Sequence, residues 1–486
     1  MRGVTKRIPT GPRIDPDIFK SYDIRGVVPT QLNKEVARLI GMAFRTEITG
    51  TRVAVGRDMR SHSPEIAEAL CQGLMESGCS VVDVGKVSTD ALYFAVGHLG
   101  LDGGIMVTAS HNPPEYNGFK MCRRDAEPLS GKDGINRIQE LISLGDLDEP
   151  VGGGTITKQD ILPAFAEHVL SFIDQSRIRP FKLVIDAGNG MAGVTVPLVF
   201  KHLPCKVIPM YFDLDGSFPN HPANPIEPDN IKDLQERVLA EKADFGVAFD
   251  GDADRMFLID EMGEPISGDI VTLLVAKSLL AKNPGATILY NIICSRAVSE
   301  GIVSAGGRAI RTPVGHALIK PLMKRENAIF GGEHSGHFYF QKNWYADSGL
   351  IALLVAMEVI SESNKPLSEL IHSLDPYVRS GELNSKVTSI PKTLERIVAA
   401  FPERMVERMD GISIQAEDWW FNVRPSNTEP LLRLNVEAKS SELLEEKTAE
   451  LLQIIRGRKR APADKPAPKA KGKAKAKSPA KAKAKA

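Results

Sequence analysis

Cysteine is scarce in this 486-residue chain and never paired. Cys71, Cys79, Cys122, Cys205 and Cys294 form no CxxC, which argues against a zinc ribbon or a disulfide framework and fits a reducing cytoplasm. The basic N-terminus, MRGVTKRIPTGPRIDPD, lacks the apolar stretch of a secretory leader. Long apolar runs are also missing. The longest, GLIALLVAMEVI from Gly349, is interrupted by Glu358, is too short for a bilayer and reads as a buried helix. No membrane association is expected.

The chain also lacks net charge, but unevenly. From Arg456 to Ala486 there are 13 Lys+Arg and one acid, so the remainder carries 48 basic and 60 acidic residues. The Lys/Ala/Pro-rich tail, 456–486, is expected to be disordered, with a non-specific anionic partner such as nucleic acid or no role beyond solubility.

What is present points to several α/β domains, since the chain is too long for one core. RVAVGRD reads as a strand, followed by a helix with Ser63 as N-cap, Pro64 at its first position and Gly78 at its end. RVAVGRDMR, KLVIDAGNG and ATILYNIICSR each read as strand, turn and helix. The fold class is therefore α/β: three similar α/β domains with mixed sheets between helices, plus a C-terminal α+β domain and the tail. The divisions are 1–154, 155–258, 259–372, 373–455 and 456–486.

Four motifs stand out, one per domain. TASHNP places Ser110 just past the end of the strand GGIMV, where a hydroxyl nucleophile or a plain polar turn would both fit. DGDADR carries Asp250, Asp252 and Asp254, which on an extended segment would point one way, repel one another and suit a hard cation such as Mg²⁺. An EF-hand loop would need glycine where Arg255 stands; a phosphatase with Asp250 as nucleophile is the alternative enzyme reading. GGEHSGH brings Glu333, Ser335 and His337 on a glycine-rich loop suited to sugar hydroxyls, or to zinc through His334 and His337. RPSNTEP offers Arg424, Ser426, Asn427 and Thr428 as a phosphate clamp or a capped turn. Together they are the parts of a phosphoryl-transfer enzyme acting on a sugar phosphate in a shared cleft.

In this order and spacing, and with FKSYDIRG (Phe19–Gly26, holding Tyr22 and Arg25) as a fifth match, the motifs resemble the α-D-phosphohexomutases, specifically the phosphomannomutase/phosphoglucomutase group. The resemblance covers about residues 15 to 455. It implies phosphoryl transfer between C1 and C6 of a hexose phosphate through phospho-Ser110 and a hexose 1,6-bisphosphate, which also serves as activator. It further implies Mg²⁺ on Ser110 and the three aspartates. His111, Lys120 and Arg255 would surround the transferring group, with Lys120 or His316 as general acid/base. Tyr22, Arg25, Glu333, Ser335, His337 and the Arg424 loop would hold the substrate. Glu333 and Ser335 would meet O3 and O4, alike in mannose and glucose, so both sugars are expected. Ile293 departs from relatives that carry a sugar-contacting lysine nearby. The block carrying Arg424 is expected to move.

Overall fold

The strand Gly103–Val107 is buried along its whole length and lies inside the first of four sheets in the computed structural model, which describes residues 14–426 and 431–457. In order across this sheet the strands are Ile24–Val27, Tyr116–Arg123, Gly103–Val107, Arg52–Arg57, Ser80–Lys86 and Ile156–Lys158. The last four are parallel and the first two join antiparallel, so the sheet is mixed.

The second sheet runs Pro265–Ile266, Met256–Ile259, Phe245–Phe249, Lys182–Asp186, Lys206–Met210, and so continues past residue 258. The third runs Arg308–Thr312, Thr287–Asn291, Phe330–Gly332, Phe338–Phe340. Each mixes parallel pairs with antiparallel ones. The fourth sheet, built on Trp419–Pro425 and Leu431–Ala438, is wholly antiparallel. This is the mixed α/β and α+β architecture expected.

The four motifs occupy corresponding places. In each of the first three sheets, a strand buried on both faces turns back through a hairpin into an antiparallel neighbour. The connections follow Gly103–Val107, Phe245–Phe249 and Phe330–Gly332, and hold Ser110, the three aspartates and Glu333–His337 respectively. In the fourth sheet Ser426 begins the connection between Trp419–Pro425 and Leu431–Ala438.

Helix Gly349–Ser363, the apolar run noted above, is buried at the centre and contacts helices Leu162–Leu170 and Gly268–Lys282. Its Glu358 is fully buried, but accepts from Asp174 N at 2.9 Å, Ser278 Oγ at 3.2 Å and Lys282 Nζ, which offsets the cost of burying a carboxylate. Phe94, Phe165, Phe249, Leu273 and Leu354 belong to one continuous apolar core spanning the first three domains, whereas the fourth builds its own from residues such as Ile397, Phe421 and Leu434.

Two local expectations are corrected. Ser63 is the first residue of helix Ser63–Glu76 and not its cap; its hydroxyl donates instead to Asp58 Oδ1 at 2.5 Å. Helix Ser441–Arg456 takes in the first residue assigned to the tail. Residues 458–486, on which the expectation of disorder falls, and Asn427 and Thr428 lie outside the described residues. No helix among the described residues is long and apolar enough to cross a membrane.

Candidate active site

Ser110 sits where a buried strand leaves the sheet, with φ +50°, an uncommon conformation for a residue with a side chain. Its N–H donates to Thr108 Oγ1 at 2.9 Å, and its hydroxyl reaches Asp250 Oδ2 at 2.7 Å across the boundary between the first two domains. His111 Nδ1 lies 3.0 Å from the same hydroxyl and also faces the Arg255 guanidinium. A guanidinium only donates, so Nδ1 accepts and carries no proton. Burial, then Arg255 and Arg25, hold the His111 imidazole well below its usual pKa, consistent with a neutral ring.

Asp250, Asp252 and Asp254 converge as expected, but not because a strand alternates. Residues 250–255 form a turn closed by Ala253 N–H to Asp250 C=O at 3.1 Å, with Ala253 at φ +61°. The turn folds the three carboxylates onto one point, close enough to share a cation. Asp252 Oδ2 accepts from Thr89 Oγ1 at 2.5 Å and from Lys120 Nζ at 2.7 Å; Lys120 also donates to Asp254 Oδ2. Asp252 Oδ1 and Asp254 Oδ1 are buried without a hydrogen-bond partner. Two orphaned anionic oxygens in a triad of hard ligands fit a small divalent cation.

Burial, together with the neighbouring carboxylates, pushes Asp250 and Asp254 up to about 6. Burial acts on Asp252 in the same sense, but the Lys120 ammonium outweighs it and holds Asp252 low. Lys120 is the mirror case: burial disfavours its charge, yet Asp252, Asp254 and Asp250 keep it above its usual value.

Gly251 separates two of these carboxylates. A Cβ there would lie 2.5 Å from the Ser110 carbonyl oxygen, so the serine and carboxylate loops approach backbone to backbone at a place only glycine allows. The third loop is stitched to the second by a bridge between Arg255 and His337, with Met256 N–H on Gly336 C=O at 3.3 Å. Consequently His337 Nε2 stands 3.9 Å from Asp254 Oδ1.

Of the remaining expected residues, Arg25 braces the serine loop, donating to Ala109 C=O at 3.1 Å and to Asn112 Oδ1. Glu333 is buried, accepting from Gly315 N–H at 3.0 Å and Tyr339 O–H at 2.6 Å. Ser335 Oγ lies 3.0 Å from His337 Nδ1. His316 opens the helix His316–Glu326, just after Gly315. Tyr22 lies near Glu333, Asp410 and Arg424: burial first, then the two carboxylates, raise its hydroxyl pKa, while Arg424 lowers it. Arg424 donates to Glu382 at 2.9 Å, and its buried Nε has no hydrogen-bond partner among the described residues.

Ser110, Tyr22, Arg25, Lys120, Arg255 and His337 all line a cavity of about 550 Å³. Sequence reading missed three residues here. Asp347 lines the same cavity and is held by Lys320 Nζ at 2.8 Å. Arg433 donates to Ser426 Oγ at 3.2 Å and pairs with Glu382. Arg60 braces the serine loop from beneath. Arg60 and Asp347 find their partners in distant segments, and Arg433 across a hairpin and from Glu382, so no motif spacing marks them.

Comparison with known proteins follows the same division. Family models for phosphoglucomutase/phosphomannomutase α/β/α domains I, II and III match residues 16–147, 163–263 and 267–377, and the C-terminal domain model matches 382–454. A phosphomannomutase of Escherichia coli K12 is 40% identical over 448 residues, covering 90% of this chain and 98% of that protein. A phosphomannomutase/phosphoglucomutase of Pseudomonas aeruginosa is 39% identical over 443 residues, 89% of this chain and 94% of that one. The crystal structure of a family protein from Burkholderia thailandensis superposes with a TM-score of 0.83 at 35% identity, covering 91% of this chain and 98% of the other. Each of the four sheets is thus matched in turn, and the chain belongs to the phosphoglucomutase/phosphomannomutase family of enzymes.

Proposed function

We propose that this enzyme interconverts hexose 1-phosphate and hexose 6-phosphate, of mannose, glucose or both, by lending a phosphoryl group from Ser110 and taking one back. The observation that carries the reading is the meeting, across a domain boundary, of Ser110 Oγ with Asp250 at 2.7 Å, beside two carboxylate oxygens with no hydrogen-bond partner among the described residues.

In the first half-reaction the bond between phosphorus and Ser110 Oγ breaks and a bond to a sugar hydroxyl oxygen forms, while the hydroxyl proton passes to a base and Ser110 Oγ takes up a proton in its place. The sugar then carries two phosphates. After it turns around, the other phosphate passes to Ser110 and the monophosphate departs. Arg255 and Lys120, both at the cavity wall, offset charge on the transferring group. Neutral His111 accepts a hydrogen bond beside Ser110 without adding charge. Lys120 donates to two carboxylates, which suits it to charge balance as arranged here; His316 remains the other candidate base. Asp250, Asp252, Asp254 and a Ser110 oxygen would hold Mg²⁺. When bound, the ion would neutralise the carboxylates and polarise phosphoryl oxygens. Glu333, Ser335 and His337 would orient the sugar, with Tyr22 and Arg25 at the entrance. Arg424, Ser426, Asn427 and Thr428 would grip the phosphate not being transferred.

The alternative, a phosphatase with Asp250 as nucleophile, is not favoured: Asp250 Oδ2 is already engaged by Ser110 and by Arg255 Nε at 2.9 Å. A nucleic-acid partner for the tail gains no support, since the family models end at residue 454.

The test couples turnover of mannose 1-phosphate and glucose 1-phosphate, primed with glucose 1,6-bisphosphate, to intact-mass measurement. The wild type is expected to carry one phosphate, and Ser110→Ala to lose both phosphate and turnover. Full turnover in Ser110→Ala, or net release of inorganic phosphate, overturns the proposal.

A further inference from the structure

Arg60 follows the strand Arg52–Arg57 by three residues, and its side chain is completely buried, with 0% exposure. A buried guanidinium needs acceptors for its five N–H groups. One acidic neighbour is present, Asp58, whose Oδ2 lies 3.3 Å from Arg60 Nε. That contact is an ion pair only; the hydrogen-bond acceptors are main-chain carbonyls, from the serine loop and the first residue of the strand it enters. Nη2 donates to the carbonyls of Ser110 at 2.9 Å and Asn112 at 2.6 Å, and Nη1 to those of Pro113 at 2.7 Å and Tyr116 at 3.0 Å.

Resting on the reading of Ser110 as phosphoryl carrier, the geometry points to Arg60 as the residue that aims that serine. It acts by positioning the loop, because it is absent from the cavity wall. Three observations carry this. Ser110 has φ +50°, a conformation that persists only where the surroundings over-determine it, and one of the four bonds falls on Ser110 itself. Buried carbonyls without partners are costly, and a planar fork can serve four of them where an ammonium point charge cannot. Finally, the second domain closes over the same cation. The Phe218 ring centroid lies 5.1 Å from Arg60 Cζ, and a Cβ at Gly216 would lie 2.4 Å from Arg60 Cα. The domain that carries the carboxylates therefore seats itself on the residue that holds the serine, and the distance between nucleophile and acidic triad is fixed at both ends.

The decisive measurement is a single-turnover rate constant: the loss of phosphate from pre-phosphorylated enzyme on mixing with hexose monophosphate. A rate constant does not depend on how much of the protein is folded, so a merely stabilising role for Arg60 would leave it unchanged. Arg60→Lys keeps the charge and loses the fork. Its transfer rate constant is expected to fall by about 30- to 100-fold, the scale of a displacement of roughly 1 Å, with KM within about twofold of wild type. Phe218→Leu keeps all four hydrogen bonds and removes the ring; a fall of about threefold is expected. A wild-type rate constant in folded Arg60→Lys overturns the inference. Should Arg60→Lys fail to fold, an unchanged constant in Phe218→Leu overturns it instead. Wild-type enzyme that never acquires phosphate on Ser110 overturns the underlying reading of the serine, a result distinct from either of these.

Discussion

The first three domains and the fourth are joined to the molecule by different physics. Domains one to three share one apolar core, to which Phe94, Phe249 and Leu354 belong, beside smaller cores of their own such as that of Ile40 and Leu70 in the first. The fourth keeps a separate core and meets the third through polar groups. Arg296 donates to the carbonyls of Glu417 at 2.8 Å and Ala416 at 2.9 Å. Glu437 accepts from Arg296 N–H at 3.1 Å across the boundary, and Arg379, which Glu437 holds within the fourth domain, stands 3.6 Å from Asp269. A cavity of about 630 Å³, lined by Arg311, Glu407 and Trp420, remains between the two domains. Phosphoryl transfer tolerates little error in distance, and a close-packed core supplies fixed distances. A phosphate clamp must release its product, and polar interfaces between domains are the kind that reorganise. On the proposed reading, the contrast would give chemistry to the part with the shared core and phosphate capture to the separately cored fourth domain.

Predictions can sharpen or break that contrast. The largest effect is expected at the acidic triad. Asp252→Asn, or chelation of divalent cations, should lower kcat by about two orders of magnitude or more, with Mg²⁺ restoring the chelated wild type but not the variant. Next, Leu354→Ala in the shared core should destabilise by about 2–5 kcal/mol, and calorimetry should show the first three domains losing stability as one transition. A loss confined to one domain would break the comparison. Arg424→Lys removes the bidentate fork from the clamp and should raise KM for hexose phosphate about tenfold, with a smaller change in kcat. The smallest effect is expected at the hinge. Glu437→Gln should change KM by roughly twofold to fivefold while leaving the single-turnover transfer rate constant within about twofold. An equal fall in that constant would mean that the fourth domain also sets the chemistry.

Much of this was legible in the sequence. The mixed α/β and α+β fold class was readable from turn residues and apolar runs, and Ser110, the three aspartates, Arg255 and His337 stand where loops of the first three domains meet. The acidic triad was anticipated for a reason the structure replaces: the aspartates converge through a turn at Ala253 and not through strand alternation. Spacing alone could not separate the two, because both bring side chains at i, i+2 and i+4 together. Ser63 was read as a cap because serine before proline signals a helix start; Asp58, held by the end of the neighbouring strand, competes for its hydroxyl. Arg60, Asp347 and Arg433 were illegible for another reason. Arg60 meets its loop partners 50 to 56 positions away, and a buried cation has no periodicity to announce it.

The repeated hairpin has a consequence for how such an enzyme can change. Two hydrogen-bonded strands hold the ends of a connecting loop about 5 Å apart, whatever the residues between them. The contents of the loop can therefore be rewritten while the sheet beneath stays the same. Here one address, copied into successive domains, carries a serine in the first, acids in the second and an Glu-His-Ser-Gly-His stretch in the third. Division of labour among the three domains lies in the sequence of the hairpin tips, which meet one another.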